Sequence, residues 1–167
     1  MTEPNWLRLE EINFLHDQAL EKHGGLSGSR PELIESALGR VQNQHAYGEE
    51  DLFKLGAGYA EAVLRNHPFS DANKRTAFSA AATFLDKNGY ELEPEKDKNH
   101  QDMILDLEQG RINKDQAADY LREHSRSLQQ EESQSQNQEN IQRRSARDIM
   151  HEQQNRTRDR GRSKICS

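Results

Sequence analysis

Residues 51–89, DLFKLGAGYAEAVLRNHPFSDANKRTAFSAAATFLDKNG, hold two helical stripes separated by a short polar joint. Leu52, Leu55, Tyr59 and Val63 recur at intervals of three and four, which gathers them, with Leu64 alongside, on one helical face and predicts a helix from about Asp51 to Asn66. Pro68 ends it, because a proline pushes the residue before it out of the α region. The next helix is predicted from Asn73, with Ala77, Phe78, Ala81, Phe84 and Leu85 on its apolar side and a stop at Gly89. Its alanine-rich surface points to a closely packed central helix.

The same periodicity extends outward on both sides. Leu9, Ile12, Leu15, Ala19 and Leu20 form a stripe closed by Gly24-Gly25, and Ser29-Arg30-Pro31 opens another with a cap residue and an early proline. That second stripe is Leu33, Ile34, Ala37, Leu38 and Val41. Downstream, Met103, Ile104 and Leu107 mark a helix ending at Gly110. Asn113 with Gln116 three residues on forms a capping box for another through Ala117, Tyr120 and Leu121. Only Tyr90-Glu91-Leu92 and residues 42–49 leave room for a brief hairpin. The expected fold is all-α, a compact bundle of about six helices.

The bundle does not extend over all 167 residues. All ten aromatic residues fall between Trp6 and Tyr120, and residues 126–167 offer only seven apolar side chains, too few to offset the entropy of ordering a packed domain. Residues 1–125 therefore read as the domain and 126–167 as a flexible, partly helical tail. Eight glutamines between 129 and 154 give that tail biased composition, and residues 139–156 have modest helical propensity.

Charge divides at the same place. Residues 1–125 carry 14 Lys and Arg against 23 Asp and Glu, whereas the tail carries 9 against 6. An acidic domain is a poor general partner for nucleic acid, which is bound by neutralising phosphates, so only the basic tail offers such a contact. Cys166 is the single cysteine, which excludes an intramolecular disulfide. No signal-peptide pattern opens the chain and no stretch approaches 18 apolar residues, so no membrane association is expected and the expected location is cytoplasmic.

The joint between the two central helices carries the chemistry. Lys74 and Arg75 fall in the first turn of a helix, where the macrodipole disfavours cations. Two cations beside the free N–H groups of that turn suit an anion such as a nucleotide phosphate chain. Asp71 can hold a magnesium ion that bridges phosphate oxygens, or can cap the following helix. Asn73 can fix the loop or donate to a phosphate, and Phe69 is expected to be buried as the loop's anchor. Histidine can accept a proton at neutral pH, so His67 is the candidate base. These residues alone imply a phosphate-binding loop with a base.

The segment His67-Pro-Phe-Ser-Asp-Ala-Asn-Lys-Arg-Thr-Ala77 resembles the signature of the Fic/Doc (Fido) superfamily, H-x-F-x-[D/E]-[G/A]-N-[G/K]-R, in its Doc (death-on-curing) version. The likeness extends to His23-Gly-Gly-Leu26, Gly39-Arg-Val-Gln42 and Asn88-Gly89, covering about residues 8–123. It implies the Fido fold and a protein-modifying enzyme that uses ATP and Mg2+. Fic adenylyltransferases carry glycine in place of Lys74 and a second arginine in place of Phe78. Those two departures favour the Doc reaction, transfer of the γ-phosphoryl group to a threonine of elongation factor Tu, over AMP transfer. The resemblance makes His67 the base, Asp71 the metal ligand, and Asn73, Lys74 and Arg75 the phosphate contacts, with Arg65 as a further nucleotide contact.

Doc proteins are toxins of toxin–antitoxin systems, so the resemblance also implies a Phd-like antitoxin as partner. Ser135, Glu139 and Asn140 fit the pattern of self-inhibitory helices in some Fic proteins, although the arginine which that glutamate would pair with is Phe78 here. Two other readings stand beside the kinase: a Fic-type adenylyltransferase with an altered motif, and a catalytically silent interaction protein of the same fold.

Overall fold

The computed structural model describes residues 3–94 and 99–128. The chain divides into two units, Met1–Ser127 and Leu128–Ser167, and the elements below belong to the first. Residues 129–167, including Ser135, Glu139 and Asn140, lie outside the described residues. Six helices carry the fold: α1 (Leu9–His23), α2 (Pro31–Ala46), α3 (Leu52–Asn66), α4 (Asn73–Lys87), α5 (Asn99–Glu108) and α6 (Lys114–Glu123), with short strands β1 (Tyr90–Leu92) and β2 (Ser125–Ser127). The expected all-α bundle is what forms.

Local signals set most of the helix ends. Asp51 caps α3 by accepting from the Phe53 amide at 2.9 Å. Asn113 and Gln116 make the reciprocal box that the sequence foretells, at 2.8 and 2.9 Å. At α2 the capping residue is Arg30 and not Ser29, with Pro31 at the first helical position. Ser29 is instead drawn into a backbone bridge with Phe69, a contact between distant segments that outweighs the local cap.

The alanine-rich α4 is closely packed in the centre as expected, with Ala77, Ala80 and Ala81 fully buried, and α3 beside it is more buried still. Nine residues of α3 are buried against six of α4. Ala57, Ala60, Val63 and Leu64 face a cluster with Ala77, Ala81, Ile104 and Leu121, while Leu55 and Tyr59 face a second with Ile12, Ile34, Val41 and Phe84. Small side chains let the two helices approach: a Cβ on Gly56 would touch the Leu85 side chain at 3.4 Å. One on Gly58 would meet the amide oxygen at the end of the Gln44 side chain at 2.7 Å, which would have to swing aside.

Neither expected hairpin forms. Residues 42–46 complete α2, and Tyr47 and Gly48 turn the chain out of it. Tyr90–Leu92 is a strand, but it pairs antiparallel with Ser125–Ser127, placing Glu91 opposite Arg126. The Arg126 guanidinium donates to the Glu91 carboxylate at 2.8 Å across that pair. Ser-Arg-Ser has no apolar alternation, so a strand made only by a distant partner leaves no period in the sequence. Among the described residues, no helix is long and apolar enough to cross a membrane.

Candidate active site

The joint between α3 and α4 is held in an uncommon backbone path. His67 ends α3 in the left-handed region at φ 43°, and Ala72 precedes α4 in the same region at φ 64°. Non-glycine residues adopt this conformation only when their surroundings enforce it. Pro68 excludes α geometry at His67, and its own side chain is fully buried.

Three sets of contacts enforce the path. Phe69 is 4% exposed, as expected for the anchor. The Asn73 side chain brackets it, accepting from the Phe69 amide at 3.2 Å and donating to its carbonyl at 2.9 Å. Next, residues 24–30 run along the joint as a strap. The Arg30 amide donates to the Pro68 carbonyl at 2.7 Å, and the Ser70 amide to that of Gly28 at 3.1 Å.

Finally, His16 of α1 is buried and stacks on Phe69, with ring centres 3.8 Å apart and planes 7° apart. Its Nε2 lies 2.9 Å from the Asp71 carbonyl oxygen. A carbonyl only accepts, so Nε2 carries the hydrogen. No motif flags this histidine. The available signal is a polar residue on the Ile12–Ala19 face, and both of those neighbours are buried.

Asp71 is not the helix cap, since Ala72 holds that position without a side-chain bond. The left-handed turn at Ala72 moves Asp71 outside the helix, where its carboxylate folds over the loop. It accepts from the Ala72 amide at 2.8 Å and from the Leu26 amide at 3.3 Å. Those two backbone bonds hold its pKa below the ordinary 3.8, with Arg75 and His16 adding to the effect. Gly25, at φ 128°, is required by the same contact: a Cβ there would lie 2.7 Å from a carboxylate oxygen of Asp71.

Two cavities flank this segment. The first, about 450 Å³, is lined by Leu15, Lys22, Lys74, Arg75, Phe78 and His100 among others, and among the described residues no carboxylate lines it. Phe78 stacks on His100 at 5.2 Å, and both nitrogens of that buried histidine are engaged, by the Tyr120 hydroxyl at 2.6 Å and the Glu93 carbonyl at 2.9 Å. The second, about 440 Å³, is lined by His67, Arg65, Glu61, Glu108 and apolar residues of α5 and the α5–α6 turn. Lys74 joins the two, since its ammonium lies 3.7 Å from the Glu108 carboxylate.

The expected site residues thus divide. Lys74 and Arg75 share the first cavity, while His67 and Arg65 share the second, with Arg65 3.8 Å from Glu61. Asp71 lies on the loop between Phe69 and the start of α4, and the Asn73 amide is engaged by the loop backbone. Among the described residues no group of three or more His, Cys, Asp or Glu could cage a metal. An exposed, ionised Asp71 fits a magnesium ion carried in on phosphates, because that ion commonly takes one or two carboxylates plus phosphate oxygens and water.

Residues 6–85 match the Fic/DOC family. The chain is 42% identical over 117 residues to a protein named "Protein kinase doc" from Escherichia phage P1, covering 68% of this chain and 90% of that relative. It is 34% identical over 76 residues to one named "Toxin Doc" from Mycolicibacterium smegmatis, covering 44% of this chain and 58% of that relative.

Proposed function

This chain belongs to the Fic/Doc family, and on that footing we propose that it is a Doc-type toxin transferring the γ-phosphoryl group of ATP to a hydroxyl, by resemblance a threonine, of a protein target. Elongation factor Tu is the target proposed, and inhibition of translation in the cytoplasm the consequence. A Phd-like antitoxin is the proposed neutralising partner. The name of the phage relative, a protein kinase, supports the reaction type.

One observation carries the choice of phosphoryl over AMP transfer. The first turns of α4 present Lys74 to the cationic cavity, and Phe78, one turn on, closes the wall against His100. An apolar ring there offers a phosphate no grip, whereas an ammonium at the mouth does. In the proposed step the target oxygen forms a bond to the γ-phosphorus as the bond from that phosphorus to the β–γ bridging oxygen breaks. ADP leaves with the electron pair, and the hydroxyl proton passes to the imidazole of His67.

Lys74 and Arg75 neutralise charge on the transferring group, Asn73 keeps the loop in shape, and Arg65, which lines the same cavity as the base, is the further nucleotide contact. Asp71 is the residue that would hold Mg2+, which supplies charge neutralisation when bound. Phosphoryl transfer requires chiefly this positioning and neutralisation.

The test is incubation of the purified protein with elongation factor Tu and ATP labelled at either the α- or the γ-phosphate. Label from γ alone, lost in His67→Ala and Asp71→Asn variants, is the expected result. Label from α would establish adenylylation instead. No label from either, with His67→Ala as toxic in cells as the wild type, would leave an interaction protein.

A further inference from the structure

Outside the motif, the first cavity has a cation that neither motif nor family resemblance singled out. Lys22 lies in the last turn of α1, 52 residues before Lys74 in sequence, and lines the same wall. In a chain with 29 acidic residues against 23 basic ones, a cavity that collects Lys22, Lys74 and Arg75 and, among the described residues, no carboxylate is a marked local excess of positive charge. Lys74 has Glu108 at 3.7 Å. Lys22 and Arg75 make no ion pair within the described residues.

The bland role for Lys22 is to complement the helix dipole at the end of α1. That end is already closed, since the Gly24 amide donates to the Leu20 carbonyl at 2.7 Å. A dipole role also gives no reason for the side chain to line a cavity. Asn73, one of the expected phosphate contacts, has its amide bonded to the loop backbone, so the motif alone leaves two cations for a polyphosphate.

We propose that Lys22 is a phosphate-binding residue of this cavity, the third cation that α1 contributes to hold a nucleoside triphosphate. Leu15, Phe78 and Ile104 supply the apolar part of the same wall. The volume, about 450 Å³, lies within the range of small-molecule sites. The inference rests on the ATP reading for the identity of the ligand, and on charge and placement for the residue.

The experiment is calorimetric titration of the full chain and of Lys22→Ala, Lys22→Arg and Lys22→Glu with ATP, adenosine and inorganic tripolyphosphate, in the presence of Mg2+. Lys22 is exposed, so all variants should fold, which equal melting temperatures will confirm. Loss of one charge-assisted contact should weaken ATP and tripolyphosphate binding by roughly tenfold or more in Lys22→Ala. Lys22→Glu should lose more, Lys22→Arg should restore binding, and binding of adenosine should not change. Unaltered ATP and tripolyphosphate affinity in Lys22→Ala, or a wild type that binds neither, overturns the proposal. A Lys22-dependent affinity in a protein that fails to transfer γ-label overturns only the kinase reading.

Discussion

Replacing His16 tests whether α1 holds the catalytic loop. His16→Ala removes an imidazole stacked 3.8 Å from Phe69 and the donor 2.9 Å from the Asp71 carbonyl. The aromatic pair contributes about 0.5–1.5 kcal/mol beyond burial, and the hydrogen bond about 0.5–1.5 kcal/mol net. The space vacated by a side chain that is 3% exposed adds a cavity term, bringing the expected destabilisation to roughly 2–4 kcal/mol.

His16→Phe separates the parts, since it keeps a ring against Phe69 and loses only the donor. It should recover more than half of the stability while leaving the Asp71 carbonyl free. If that carbonyl fixes where the carboxylate points, transfer by His16→Phe should fall on the order of 100-fold, the scale of a 1 Å misplacement. Urea unfolding at constant slope measures the first quantity and γ-label transfer to the target the second. A fully active His16→Phe would refute the proposed hold on Asp71. A His16→Ala variant within about 0.5 kcal/mol of wild type, the range of ordinary surface substitutions, would refute the packing account.

Gly25→Ala places a Cβ 2.7 Å from the Asp71 carboxylate at φ 128°, so activity should drop well below wild type while the far-UV spectrum is kept; full activity would show that the strap is free to move. Asn73→Asp retains the acceptor for the Phe69 amide but lacks the donor to its carbonyl, and the loop should become sensitive to proteolysis between α3 and α4, read by mass spectrometry of the fragments. Burial pushes the Tyr59 phenol from 10.0 up to about 12, so the folded state keeps this proton longer than the unfolded one. Its contribution is complete below pH 10 and is lost as pH rises through about 12, at up to about 1.4 kcal/mol per pH unit. Between those values wild type should therefore lose stability more steeply than Tyr59→Phe in urea titrations, and parallel slopes would contradict the account. Asp71 has a lowered pKa, so its carboxylate should stay ionised below the ordinary 3.8, which a carbon-detected titration of labelled protein will read.

The helices and the reactive segment are legible in the sequence because their determinants are local. A 3.6-residue stripe, a proline after His67 and a capping pair at Asn113 and Gln116 act within a few residues of one another. The nine matching residues from His67 to Ala77 lie in one continuous loop and helix turn, so the family resemblance could be read from order alone. Even the Gly24-Gly25 pair was visible, although only as the end of a helix.

Features that depend on segments far apart in the chain were not legible. The Leu26 amide reaches Asp71, the Arg30 amide reaches Pro68, and β1 finds its partner in Ser125–Ser127. The spacing of apolar residues carries no information about any of these pairings. His16 and Lys22 sit on opposite fates of the same helix: one buried face turns a histidine onto the loop, and its last turn lends a lysine to the cavity. Assigning Asp71 to the outside of α4 likewise required the left-handed turn at Ala72. Composition and order sufficed to name the chemistry of the loop, because reactive groups are set by residue type. Packing decided which groups face one another, because a helix delivers its side chains only where its neighbours leave room.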